Sequence, residues 1–144
     1  MAANLKRLIA VYLFGVGAMV AIHFLVTRFY DPAWEDASLA AWSVMNPLQV
    51  VAVALTVVVT FLRKQRMCAS LSDQTVTREY LEANVLFYFS VPFLLALLWN
   101  WFGVQFADPA HSSELLWIFI DVTLPVLLGV VGHQLLSEAS RKAG

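Results

Sequence analysis

The sequence has few residues that react or carry charge. It holds one cysteine, Cys68, among 144 residues, and its lysines and arginines together number nine. A single cysteine excludes an internal disulfide and a zinc site built on cysteine pairs. The basic residues form no tract long enough to bind nucleic acid, and the sequence has no glycine-rich phosphate loop. Nucleotide-binding and nucleic-acid-binding functions are therefore not expected.

Apolar side chains, by contrast, are abundant. Hydrophobic residues make up 60% of the chain and charged residues 13%, and the mean hydropathy of +0.73 is too high for a water-soluble domain. A helix needs about 20 apolar residues to cross a hydrocarbon core of ~30 Å. The length therefore allows four spans with short connections. The predicted fold is all-α, an integral membrane bundle of four transmembrane helices that forms a single domain over residues 1–144.

Four apolar stretches predict the spans, at about residues 8–30, 44–62, 81–106 and 115–136. We expect the first to be a retained anchor and not a signal peptide, because its apolar run continues to Val26 without a small-residue cleavage site. Thr77 is placed to cap the third helix.

The distribution of basic residues predicts the orientation. All but one lie before the first span, between the second and third, or after the fourth, and the exception is Arg28. By the positive-inside rule both termini are cytoplasmic. The expected location is a bacterial inner membrane, with membrane lipids as the surrounding partner and no nucleic acid.

Polar residues stand out at membrane depth within the predicted spans, among them Gln105 and four that lie in one leaflet: His23, Asn46, Asn100 and Asp121. Polar groups are costly in lipid and usually face the bundle interior, so these four predict one polar cluster near the outer side. Two explanations are open. The cluster is a functional site, or Asp121 pairs with Arg28 or His23 and the amides bond backbone groups only to hold the helices together.

The sequence also contains a weak internal repeat, which we call the echo. Residues 29–33 read Phe-Tyr-Asp-Pro-Ala, and residues 106–110 read Phe-Ala-Asp-Pro-Ala. Each copy precedes a tryptophan that has a polar residue four places later, namely Asn46 and Asp121. The match is either chance or a duplicated hairpin, as in transporters with parallel repeats.

Several short motifs follow one another along most of the chain in the order of a known family. They are Arg28-Phe29-Tyr30-Asp31, Trp42 with Met45-Asn46, Arg78-Glu79-x-Leu81-x-x-Asn84, and Pro109-Ala110-His111-x-x-Glu114. In these motifs the chain resembles the C-type subunit of the copper membrane monooxygenases, which oxidise methane, ammonia or short alkanes. The resemblance implies a shortened subunit of a larger membrane complex, with other membrane protein subunits as its partners.

The resemblance also implies a metal site. The family binds a metal through an Asp and two His near this helix junction, and Asp108 and His111 are the matching positions. The second histidine is missing and most metal sites need at least three protein ligands, so Glu114, Asn100 or another chain would have to complete the set. Copper is the cofactor that the resemblance implies. A turn at Asp108 and a helix cap at His111 are the structural alternatives.

Two further functions are compatible with the same residues. The polar cluster and the echo favour a small-molecule transporter or a ligand-binding bundle. Ile22-His23 and the last helix with Pro125 also resemble the four-helix sterol-isomerase-like membrane domain. That resemblance implies an enzyme acting on a lipid or sterol, in which His23 and Asp121 form an acid–base pair.

Overall fold

The computed structural model describes residues 1–29, 35–70, 77–106 and 113–141. Within these ranges the chain forms four α-helices: α1 (Ala3–Val26), α2 (Glu35–Ser70), α3 (Arg78–Phe106) and α4 (Glu114–Ser140). A short 3₁₀ turn, Thr27–Phe29, follows α1. Each α-helix includes a segment long and apolar enough to cross a membrane. The prediction of an all-α membrane bundle is confirmed, and the chain is a small integral membrane protein.

Side-chain caps define two of the helix starts. The Thr77 hydroxyl accepts a hydrogen bond from the Tyr80 amide at 3.3 Å, which confirms its predicted role at the start of α3. The Ser113 hydroxyl accepts from the Leu116 amide at 3.3 Å and caps α4 in the same way. These bonds satisfy backbone N–H groups that the first helical turn leaves without an intrahelical partner.

The helices pack as two tight pairs. α1 packs mainly on α4 and α2 mainly on α3, whereas contacts between α1 and α2 and between α3 and α4 are sparse, and α2 also touches α4. Exchanging the α1–α2 hairpin with the α3–α4 hairpin leaves this pattern unchanged. It is the packing that a duplicated hairpin would have, although residues 30–34 and 107–110, which carry most of the sequence echo, lie outside the described residues.

Glycines allow the close approach of α1 and α4. A Cβ atom added at Gly17 would lie 3.4 Å from the Pro125 Cα atom, and one added at Gly132 would lie 3.4 Å from the Ala10 carbonyl oxygen. Small residues let helix backbones approach in a membrane, where packing and not the hydrophobic effect drives association. The two contacts also fix the antiparallel register of the pair.

The core is one hydrophobic cluster to which all four helices contribute. It includes Leu13 of α1, Val53 of α2, Leu97 of α3 and Leu124 of α4. Many large apolar side chains instead point outward, such as Val58, which is 53% exposed. An apolar exterior is what a lipid-facing surface requires.

Candidate functional site

His23 and Trp42 join α1 to α2 near one end of the bundle. Their ring centroids are 4.7 Å apart and their planes are inclined at 72°, an edge-to-face contact. His23 is half-buried. The contact anchors one member of the predicted polar cluster against the second helix.

Asp121 is buried in α4 with 6% of its surface exposed. Its Oδ1 atom has no hydrogen-bond partner within the described part of the chain. Pro125, one turn later in the same helix, has no N–H group. The main-chain carbonyl of Asp121 therefore lacks its usual helical donor as well. The Oδ1 atom and the main-chain carbonyl oxygen of Asp121 can therefore both accept from, or bind, a partner beyond the described residues.

The register of α1 against α4 places Asp121 close to His23 in depth. Gly17 meets Pro125, so four residues further along each antiparallel helix Ala21 lies level with Asp121. His23 is two residues beyond Ala21, a rise of about 3 Å. The predicted pair of Arg28 with Asp121 involves a side chain outside the described residues.

Asn46 and Gln49 lie on the buried face of α2, next to this region. Asn46, one helical turn from Trp42, is 8% exposed, and Gln49 is fully buried. The Asn46 Oδ1 atom and both polar atoms of the Gln49 side chain have no hydrogen-bond partner among the described residues. A buried amide without a partner costs about 1–3 kcal/mol, so these groups are expected to contact a partner beyond the described residues, such as water or a bound solute.

Asn100 has a different role from the other three. Its side-chain nitrogen donates to the Ser113 carbonyl at 3.2 Å, and its Oδ1 atom accepts from the Ser113 amide at 2.8 Å. These two bonds clamp the end of α3 to the first turn of α4. Ser113 precedes Asp121 by about two helical turns, or ~12 Å. The two bonds connect α3 to α4 and place Asn100 apart from the region of Asp121.

Replacing Asn100 by alanine is expected to lower the free energy of unfolding by about 1–2 kcal/mol, because it removes both hydrogen bonds between the buried Asn100 side chain and the Ser113 backbone. The Ser113 carbonyl keeps its bond from the Trp117 amide, at 3.0 Å. Denaturation in mixed detergent micelles measures this. Asn84→Ala is the matched control, since among the described residues that side chain bonds the Tyr80 carbonyl of its own helix, at 2.8 Å. Equal losses for the two variants would contradict the clamp.

A polar stripe along α2 was not recognised in the sequence. We define it as Asn46, Gln49, Thr56 and Thr60, all buried. The Thr60 hydroxyl lies 3.3 Å from that of Ser90 on α3, and both threonines also bond carbonyls of their own helix. Successive residues of the stripe are three, seven and four positions apart, which places them on one face of the helix. This periodicity is the sequence pattern that would have predicted the stripe.

A second polar cluster closes one end of the bundle. Lys6 of α1 is 2% exposed and pairs with Glu138 of α4. Arg63, at the end of the α2 stripe, bonds Gln134 and lies 3.8 Å from Glu138. Gln134 in turn donates to Glu82 of α3 at 2.5 Å. We call these five residues the end network, and they connect all four helices. In the sequence analysis Lys6 counted only as one of the basic residues that predict the orientation.

The predicted metal ligands are not brought together by any described contact. Asp108 and His111 lie outside the described residues, and Glu114 is exposed as the first residue of α4. Elsewhere in the chain, across the described ranges, no three His, Cys, Asp or Glu side chains converge as a metal site would require. The metal site and copper stay predictions.

Comparisons with protein-family models, with curated proteins and with solved structures found no match.

Proposed function

We propose that this membrane protein binds or transports a small polar solute through the interior of its four-helix bundle. The observation that carries the proposal is the polar stripe of α2. Inward-facing polar groups at membrane depth pair with one another or with backbone carbonyls, or they line a path for water, an ion or a substrate. Thr56 and Thr60 bond carbonyls of their own helix, whereas the side-chain oxygens of Asn46 and Gln49 have no partner among the described residues.

The length of the stripe suits a path across the membrane. From Asn46 to Arg63, where the end network begins, α2 rises about 26 Å, which is most of a hydrocarbon core of ~30 Å. The buried Ser90 hydroxyl of α3 extends the polar surface to a second helix.

Two further features support the same function. α2, α3 and α4 each hold one proline inside the helix, at Pro47, Pro92 and Pro125. Such breaks free main-chain carbonyls, and transporters use freed carbonyls in their binding sites. The two-pair packing is also the arrangement expected of parallel repeats, which many transporters contain.

The proposal predicts that water reaches the stripe. In a Cys68→Ser background, Thr56→Cys in liposomes should react with a membrane-impermeant methanethiosulfonate at least about tenfold faster than Val58→Cys, because a thiol reacts as its hydrated thiolate. Val58 is the matched control, since it lies two residues away on the lipid-facing side of α2. Equal, slow labelling of both cysteines would mean that the interior is dry and would overturn the proposal.

Two hypotheses from the sequence stay predictions beside this one. The first is a subunit of a larger membrane complex related to the copper monooxygenases, with cytoplasmic termini. Purification in mild detergent, with mass spectrometry of bound chains and metal analysis, tests it. The second is a sterol- or lipid-isomerase-like enzyme using His23 and Asp121, for which isomerase activity lost in Asp121→Asn is the test.

A further inference from the structure

We infer that Asp121, Asn46 and Gln49 form a binding site for a monovalent alkali cation inside the bundle. The inference rests on the proposed function and names the class of solute that this part of the polar interior holds.

The chemistry of the unpaired atoms indicates a cation. Three of them are oxygens, Asn46 Oδ1, Gln49 Oε1 and Asp121 Oδ1, and the fourth is the Gln49 side-chain nitrogen. The freed Asp121 carbonyl adds another oxygen. Carboxylate, amide and carbonyl oxygens are the ligands that hard cations prefer. A carboxylate buried in an apolar interior is also strongly unfavourable until a positive charge accompanies it.

The positions of the three residues allow them to share one ion. Asn46 lies one turn from Trp42, Trp42 touches His23, and His23 lies within two residues of the level of Asp121 according to the α1–α4 register. Gln49 is one turn further along the buried face of α2. The inward faces of α2 and α4 contribute side chains to one hydrophobic core, including residues directly next to Asn46 and Asp121 in sequence.

The charge of the site favours a monovalent over a divalent cation. Asp121 is the only acidic residue among the buried polar side chains of the described ranges. Calcium sites usually contain several carboxylates, because a double positive charge needs more compensation. One carboxylate with neutral amide oxygens matches a single positive charge.

Thermal unfolding of the full chain in detergent tests the inference. We replace choline chloride by sodium, potassium or lithium chloride at constant ionic strength. At a salt concentration well above the Kd of the site, the Tm should rise by about 5 °C. Asp121→Asn should lose this rise, and Asn46→Leu should need at least about tenfold more salt. Glu79→Gln, which removes an exposed acid in the first turn of α3, should respond like the unaltered chain.

The outcomes separate this inference from the proposed function. Labelling of Thr56→Cys without any Tm response to the three alkali cations would overturn the cation site and leave the polar path standing. A response to calcium at lower concentration than to sodium would overturn the monovalent class. If Asp121→Asn does not fold, Asn46→Leu decides, since an unchanged salt dependence in that variant would refute the shared site.

Discussion

Replacing Glu138 by glutamine is expected to lower the free energy of unfolding by about 3 kcal/mol, the largest loss that we predict for a single side chain. Glu138 pairs with Lys6, whose side chain is 2% exposed, and without it Lys6 would remain a buried charge with no partner. Removing one member of a buried pair costs about 3–5 kcal/mol. The lower end applies because Glu138 is itself one-third exposed.

Substituting the other member of the pair distinguishes the cost of a buried unpaired charge from the simple loss of a contact. Lys6→Met should cost about 1 kcal/mol, because Glu138 keeps Arg63 at 3.8 Å and an apolar side chain suits the buried position. The double variant Lys6→Met with Glu138→Gln should recover most of the loss of Glu138→Gln, since it removes both charges. Denaturation in mixed micelles measures all three variants. Equal losses for the two single variants would contradict the asymmetry.

The second large effect is expected at Gly17. Gly17→Leu should destabilise the bundle by about 2–3 kcal/mol, because the new side chain would meet the backbone of Pro125 and force α1 and α4 apart. Gly15→Leu is the matched control, since a Cβ atom there has no neighbour within 4 Å outside its own helix. That variant should change stability by less than about 0.5 kcal/mol.

An intermediate substitution tests whether distance is the cause. Gly17→Ala adds only the Cβ atom, which would lie at an ordinary contact distance of 3.4 Å from the Pro125 Cα atom. Its cost should be small compared with that of Gly17→Leu. A large loss in Gly17→Ala, or a similar loss in Gly15→Leu, would show that helix propensity or lipid contact governs this region and not close packing.

The number and class of the helices could be predicted because each span is a long apolar run, and in lipid such a run has to form a helix. The bounds of α2 could not. The apolar stretch at about 44–62 lies within α2, which runs from Glu35 to Ser70. Hydropathy marks only the part that suits lipid, whereas the helix continues through polar residues as long as its backbone bonds persist.

The candidate site was only partly predictable for a different reason. Asn46 and Asp121 are conspicuous as polar residues in apolar runs. Gln49 was missed, although its helical spacing from Asn46 would have indicated it. The role of Asn100 depends on where Ser113 comes to lie, and the burial of Lys6 depends on Glu138, which is 132 positions away. Contacts between residues so distant in the chain are set by packing, and composition and periodicity do not specify them.

The pairing of α2 with α3 and of α1 with α4 has a consequence for biosynthesis. α2 and α3 are neighbours in the chain and pack on each other, so this hairpin can assemble as soon as both helices have left the ribosome. α1 is made first, yet its main partner α4 is the last of the four to be made. Until then the face with Gly17 and Lys6 is uncovered. A chain whose translation stops before α4 would therefore leave α1 without its main packing partner and this face exposed to misassembly.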